Sequence, residues 1–201
     1  MTRPEIKTLF VSLLFLGCCV LVFIPFMGYH EHRAESLDIV FQDPMFTVLP
    51  ALDLSLLIFI TLYGSIILYC VLNYKENNFI AIVVVCYGFL VLLRMISMSS
   101  IPLNHPDSII YLNDPFLNNL IYPGRIYNDL FFSGHAALFV ILYFVSKVRW
   151  PFLILGICMS FFVMIQRVHY SIDVLGAIPF GILATILAKK AIHKWSFKNN
   201  S

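Results

Sequence analysis

The sequence predicts an all-α membrane protein, a bundle of about six transmembrane helices that uses residues 1–201 as one domain. Three observations predict it. Hydrophobic residues make up 60% of the chain and charged residues only 12%, far from the composition of a soluble domain. The mean hydropathy of +0.88 comes from apolar runs along the whole length rather than from one anchor. The basic residues, finally, sort to one side of the predicted membrane.

A span needs about 20 apolar residues to cross roughly 30 Å of hydrocarbon. The stretches that meet or approach this lie at about 8–28, 54–73, 79–98, 131–147, 150–167 and 173–190. The first follows Arg3 and Lys7 and ends in Pro25-Phe26-Met27-Gly28 without a small-x-small cleavage site, so it reads as an uncleaved span rather than a signal peptide. The second begins after Leu49-Pro50-Ala51-Leu52-Asp53, and a short turn at 74–78 leads into the third. The fourth and fifth are parted only by Lys147-Val148-Arg149-Trp150-Pro151, a tight turn with an interfacial aromatic. In the sixth, Gly176, Pro179 and Gly181 read as kink and packing residues. No internal repeat, linker or low-complexity tract is visible.

Alternating spans put Arg3, Lys7, Lys75, Lys147, Arg149, Lys189, Lys190, Lys194 and Lys198 on one side, which includes every lysine. The other side receives Arg33, Arg94, Arg125 and Arg167 and all acidic residues except Glu5 and Glu76. The positive-inside rule makes the lysine-rich side cytoplasmic, with both termini there. Cys18, Cys19, Cys70, Cys86 and Cys158 all sit in apolar runs, which argues against disulfides and against a zinc site. No nucleic-acid partner is expected; the partner is the membrane.

Polar residues gather at three helix ends on the outer side. The third span ends Arg94-Met95-Ile96-Ser97-Met98-Ser99-Ser100, the fourth opens Asn128-Asp129-Leu130-Phe131-Phe132-Ser133-Gly134-His135, and the fifth passes to the sixth through Arg167-Val168-His169-Tyr170-Ser171-Ile172-Asp173. Each piece has a use if the substrate is a phosphate ester. At the start of a helix the N–H groups and the dipole favour an anion, so Ser133 and Gly134 read as phosphate-binding, the glycine for close approach and the serine for its hydroxyl. His169 and Asp173 are one helical turn apart, so the carboxylate can hold one ring nitrogen and leave the other lone pair for phosphorus. That makes His169 the nucleophile and leaves His135 as acid and base for the leaving and accepting oxygens. Arg94, Arg125 and Arg167 are placed to neutralise phosphate charge. The arrangement calls for no metal and no cofactor. His30, His32, His105 and His193 read as structural, and Tyr170 as a residue lining a lipid entrance.

These residues resemble the type 2 phosphatidic acid phosphatase (PAP2) superfamily and, within it, the sphingomyelin synthase-like and inositol phosphorylceramide synthase-like branch. Phe132-Ser133-Gly134-His135 is similar to the SGH motif of that superfamily, and His169-Tyr170-Ser171-Ile172-Asp173 to the motif of the sphingolipid head-group synthases. Weaker likeness runs through 49–53 and 94–102. The resemblance implies a phosphohistidine at His169 oriented by Asp173, His135 as acid and base, and a site on the extracytoplasmic face. The Lys-x6-Arg-Pro motif of the ordinary phosphatases is missing, and Val163 stands where they carry an Arg six places before the second His. Both departures favour a head-group transferase, with a phospholipid donor and a lipid alcohol acceptor, over a phosphatase that uses water.

Two other readings compete. An intramembrane serine protease would want a Gly where Phe131 stands and gives Asp173 no purpose. A transporter would carry its polar residues near the midplane rather than at helix ends.

Overall fold

The computed structural model describes residues 3–112 and 127–198. Among these the regular structure is entirely helical: α1 (Arg3–Leu37), α2 (Met45–Val48), α3 (Ser55–Asn73), α4 (Phe79–Ser100), α5 (Gly134–Val145), α6 (Trp150–Ile165) and α7 (Ser171–Lys198). Helices long and apolar enough to cross a membrane are Glu5–Leu37, Ser55–Asn73, Phe79–Ser100 and Ser171–Trp195, while Gly134–Val145 and Trp150–Ile165 are apolar but shorter.

The centre of the bundle is α4, α5 and α7. Small residues set the spacing: Ala136 and Ala137 of α5 and Ala177, Ala184 and Ala188 of α7 pack with Val85, Cys86 and Leu90 of α4. Without bulk at these positions the backbones approach closely, which is how helices gain contact in lipid. A Cβ on Gly181 would collide with Val140, and one on Gly176 would press on Phe131 and Phe132, so both are packing residues. Around this centre α1 lies on α4, α6 lies on α5, and α3 lies on α6. The outward faces of α1 and α3 carry exposed Leu14, Leu21, Leu56, Ile60 and Ile67, the surface expected of helices solvated by lipid. The five cysteines are free.

α7 runs eight residues past its expected end at 190, to Lys198, and two other elements depart from the expected spans in ways that shape the site. α1 continues past Gly28 for another nine residues to Leu37, because Tyr29 through Leu37 contain no breaker and the helix stops only where Asp38 turns left-handed at φ 49°. This extension stands above the bundle and grips the chain before α5. Glu31 accepts the N–H groups of Tyr127 (3.0 Å) and Asn128 (3.1 Å), His30 Nε2 donates to Asn128 O at 3.2 Å, and Arg33 donates to Ser99 O at 2.7 Å.

α5, in turn, begins at Gly134 rather than near 131 and has only 12 residues, about 18 Å. Residues 128–133 descend to it as irregular chain. Backbone of that kind is tolerated at depth only where protein satisfies its polar groups. Here Ser97 Oγ donates to Phe131 O (2.9 Å), Arg94 donates to Asp129 O (3.2 Å), and Ser133 N–H donates to Asp173 O (3.0 Å). The start of α5 therefore lies in a recess beside Arg94, which stands about 9 Å below the last residue of α4.

At the opposite end of the bundle, Asn73 Nδ2 donates to Ser146 Oγ and Lys147 pairs with Glu76 at 2.9 Å, joining the α3–α4 and α5–α6 turns.

Candidate active site

The site is assembled from the start of α5 and the turn between α6 and α7. α6 ends in a Schellman motif: Val168 N–H donates to Val163 O and Arg167 N–H to Met164 O, both at 3.1 Å. The left-handed position in that motif usually belongs to glycine, yet here Arg167 occupies it at φ 62°. Its side chain explains the exception. Arg167 Nη2 donates to Phe46 O (2.9 Å) and Leu49 O (2.7 Å), and its guanidinium lies 4.1 Å over the Phe46 ring.

The turn is braced from other directions as well. Gln166, fully buried, accepts the Leu54 N–H and donates to Asp53 (3.2 Å), Ser55 (3.0 Å) and Ile110 O (3.3 Å). Those bonds to Gln166 and Ser55 hold the Asp53 carboxyl below the usual carboxylate range, the Ser55 hydroxyl contributing most. Asp43, from the loop after α1, accepts the Ser171 N–H and the Ser171 hydroxyl (2.9 Å), placing a carboxylate on the first turn of α7. Tyr170 is wholly buried between Phe41 and Phe46 and donates its hydroxyl to Asn104 O at 2.9 Å, so it anchors the loops after α1 and α4 to this turn rather than lining an entrance.

So held, His169 faces His135, with ring centroids 6.0 Å apart and planes inclined at 62°. His169 Nδ1 lies 3.4 Å from Asp173 Oδ2 and is buried, while His135 is half-buried. The same Asp173 oxygen accepts the Tyr170 N–H at 2.9 Å. Asp173 thus stands at the third position of α7 and reaches back to the residue that caps it, as in a capping box, rather than capping the helix itself.

Ser133 is the N-cap of α5, and its Oγ accepts the Ala136 N–H at 3.3 Å. Its hydroxyl thereby serves the helix, leaving its proton to donate. Gly134 has an unforeseen neighbour: a Cβ there would meet Arg94 Nη1 at 2.6 Å. The absent side chain is where the Arg94 guanidinium lies. Arg94 is buried, ion-paired with Asp129, and set against the first residue of α5.

His135, His169, Asp173, Ser133, Gly134 and Arg94 therefore come together. Arg167 lies in the same turn with its Nη2 committed to carbonyls, though its buried Nε and Nη1 have no hydrogen-bond partner. Arg125 falls outside the described residues. His30 is buried against Phe26, and His105 Nδ1 donates to Pro106 O, so both serve local structure. Asp43, Gln166 and Glu31 were not visible as site residues, because each acts through contacts across 100 residues or so of chain; only their acidic or amide character inside apolar surroundings marked them.

Residues 128–190 match the family described as PAP2 superfamily C-terminal. No curated protein and no solved structure matches the chain. The matched stretch runs from the descent into α5 through most of α7 and includes both histidines and Asp173; it suggests an activity of the lipid phosphatase or phosphotransferase type, on lipid phosphates and at a membrane.

Proposed function

We propose that the protein transfers a phosphorylated head group from a phospholipid to an alcohol acceptor through a phosphohistidine at His169. One juxtaposition carries the reading: two imidazoles from different helices face each other at 6.0 Å, with a buried carboxylate behind one of them. Two imidazoles so placed can act on one phosphoryl group, one on phosphorus and the other on the leaving oxygen. Asp173 selects the His169 tautomer with the proton on Nδ1, so Nε2 presents its lone pair to phosphorus.

In the first half-reaction the Nε2–P bond forms, the bond from phosphorus to the diacylglycerol oxygen breaks, and His135 gives its proton to that oxygen. In the second, the acceptor hydroxyl loses its proton to His135, its oxygen bonds phosphorus, and the N–P bond breaks. Arg94 and the first turn of α5 bear on the charge of the equatorial oxygens. Arg167 offers two further N–H groups from the other side. The missing Lys-x6-Arg-Pro motif favours an alcohol over water as acceptor. On the same reading the lysine-bearing end is cytoplasmic, and the site opens on the extracytoplasmic face.

The test is turnover of a phospholipid labelled in its head group, with ceramide or diacylglycerol as acceptor, by the wild type, His169→Ala and Asp173→Asn. A labelled new lipid, abolished in His169→Ala and reduced about a hundredfold or more in Asp173→Asn, is the expected result. Phosphorylated head group released into water as the sole His169-dependent product, or phosphate from phosphatidic acid, makes the protein a hydrolase. Product formation that survives His169→Ala refutes the phosphohistidine.

A further inference from the structure

We infer that the groove between α6 and α7, floored by α5, holds one hydrocarbon chain of the lipid whose phosphate reacts at His135 and His169. This rests on the function proposed above and adds to it where the substrate lies. α6 and α7 each pack along α5 but make no substantial contact with one another. The two helices are joined by the turn that carries His169 and diverge beneath it. The result is a cavity of about 340 Å³ with Ala136 and Val140 in its floor, Ile157 and Ser160 on one wall, and Val174 and Ile178 on the other.

Its upper end lies next to the site. Ala136 follows His135 and Val174 follows Asp173. The groove runs down α5 as far as Phe144, about 12 Å from Ala136. That is close to the thickness of one leaflet, about half of the roughly 30 Å hydrocarbon layer.

The chemistry of the lining fits a hydrocarbon and little else. Ser160 and Tyr143 carry the hydroxyls of the lining, and that of Ser160 is spent on Gly156 O at 2.8 Å. Ile157 and Ile178 are about half exposed along the open side, so the groove can be entered sideways from the bilayer. A lipid seated this way has its head group at the mouth of the recess and its chain held in register with the catalytic pair. Contact remote from phosphorus is then available to position the reacting bond.

Two measurements on the full chain in nanodiscs test this. The first compares kcat/KM for long-chain and short-chain phosphatidic acid in Ser160→Phe and Ile178→Trp, which fill the groove from either wall. The long-chain to short-chain ratio should fall about tenfold or more, the worth of a few methylenes of lost contact. The second uses phosphatidic acid with a photoactivatable diazirine in mid-chain, beside a fatty acid methyl ester with the same diazirine, which carries neither phosphate nor hydroxyl. Adducts should concentrate on α5, α6 and α7 for the phosphate and spread over all lipid-facing helices for the ester.

An unchanged ratio in both variants, or adducts distributed alike for the two probes, overturns the groove. Absence of His169-dependent turnover on every lipid would sink the proposed reaction; the adduct pattern would still decide whether a phosphorylated lipid lies here.

Discussion

Replacing Gly134 by alanine is a small change with a large expected effect on rate. The new methyl would stand 2.6 Å from Arg94 Nη1 and 3.2 Å from its Cζ, so the guanidinium must retreat by roughly 0.8 Å to reach an ordinary 3.4 Å contact. Arg94 has little freedom to retreat, since it is buried and donates to both the carboxylate and the carbonyl of Asp129. Losing or lengthening those bonds costs about 1–3 kcal/mol. The exchange of glycine for alanine within a helix returns up to about 1 kcal/mol. The net change in stability is then about 0–2 kcal/mol, and the protein folds.

Turnover is more sensitive, because displacing one preorganised donor from a transition-state oxyanion costs about a hundredfold in kcat. The assay is a cycle of Gly134→Ala, Arg94→Ala and the double variant, with turnover and thermal unfolding both followed. If Gly134 exists to admit Arg94, the double variant should be no slower than Arg94→Ala alone. Additive losses would mean that Gly134 serves the phosphate directly, and full activity in Gly134→Ala would refute the placement of Arg94 in the chemistry.

Two predictions concern the brace around the α6–α7 turn. Asp43→Ala removes the acceptor for the Ser171 N–H and hydroxyl and a negative charge from the start of α7, so it should destabilise by about 1–3 kcal/mol and lower kcat; an unfolding midpoint and a rate both equal to wild type would contradict the role given to that loop. Burial pushes the Tyr170 phenol above its ordinary value. Its folded form holds the proton more tightly than the unfolded chain, so the stabilisation is fully present below about pH 10 and declines as pH rises beyond it. Unfolding curves between neutral and strongly alkaline pH should steepen in that window for wild type and less so for Tyr170→Phe.

Several parts of the molecule were legible because they depend on local pattern. The apolar runs marked α1, α3, α4 and α7 to within a few residues at most ends, since crossing hydrocarbon demands length and composition that nothing else in the chain imitates. The spacing of His169 and Asp173 placed the carboxylate beside the ring, because four residues make about one helical turn. That His135 would face His169 followed only from the assumption that helix ends on one side of a membrane lie at one depth.

The rest required the tertiary structure. Whether an apolar stretch such as 131–133 is helical is decided by who satisfies its backbone, and Ser97 and Asp173 do so here in place of a helix. Arg167 takes a glycine's conformation because carbonyls of a distant loop hold its side chain, a contact that no local propensity encodes. Gly134 drew attention as a backbone that a phosphate can approach; the structure shows an arginine already there. The sequence by itself determined which segments enter lipid and which residues carry reactive groups, for these follow from solvation and chemical type. Only the tertiary structure decided which of those groups meet, because each contact in the recess joins parts of the chain whose separation the local pattern does not record.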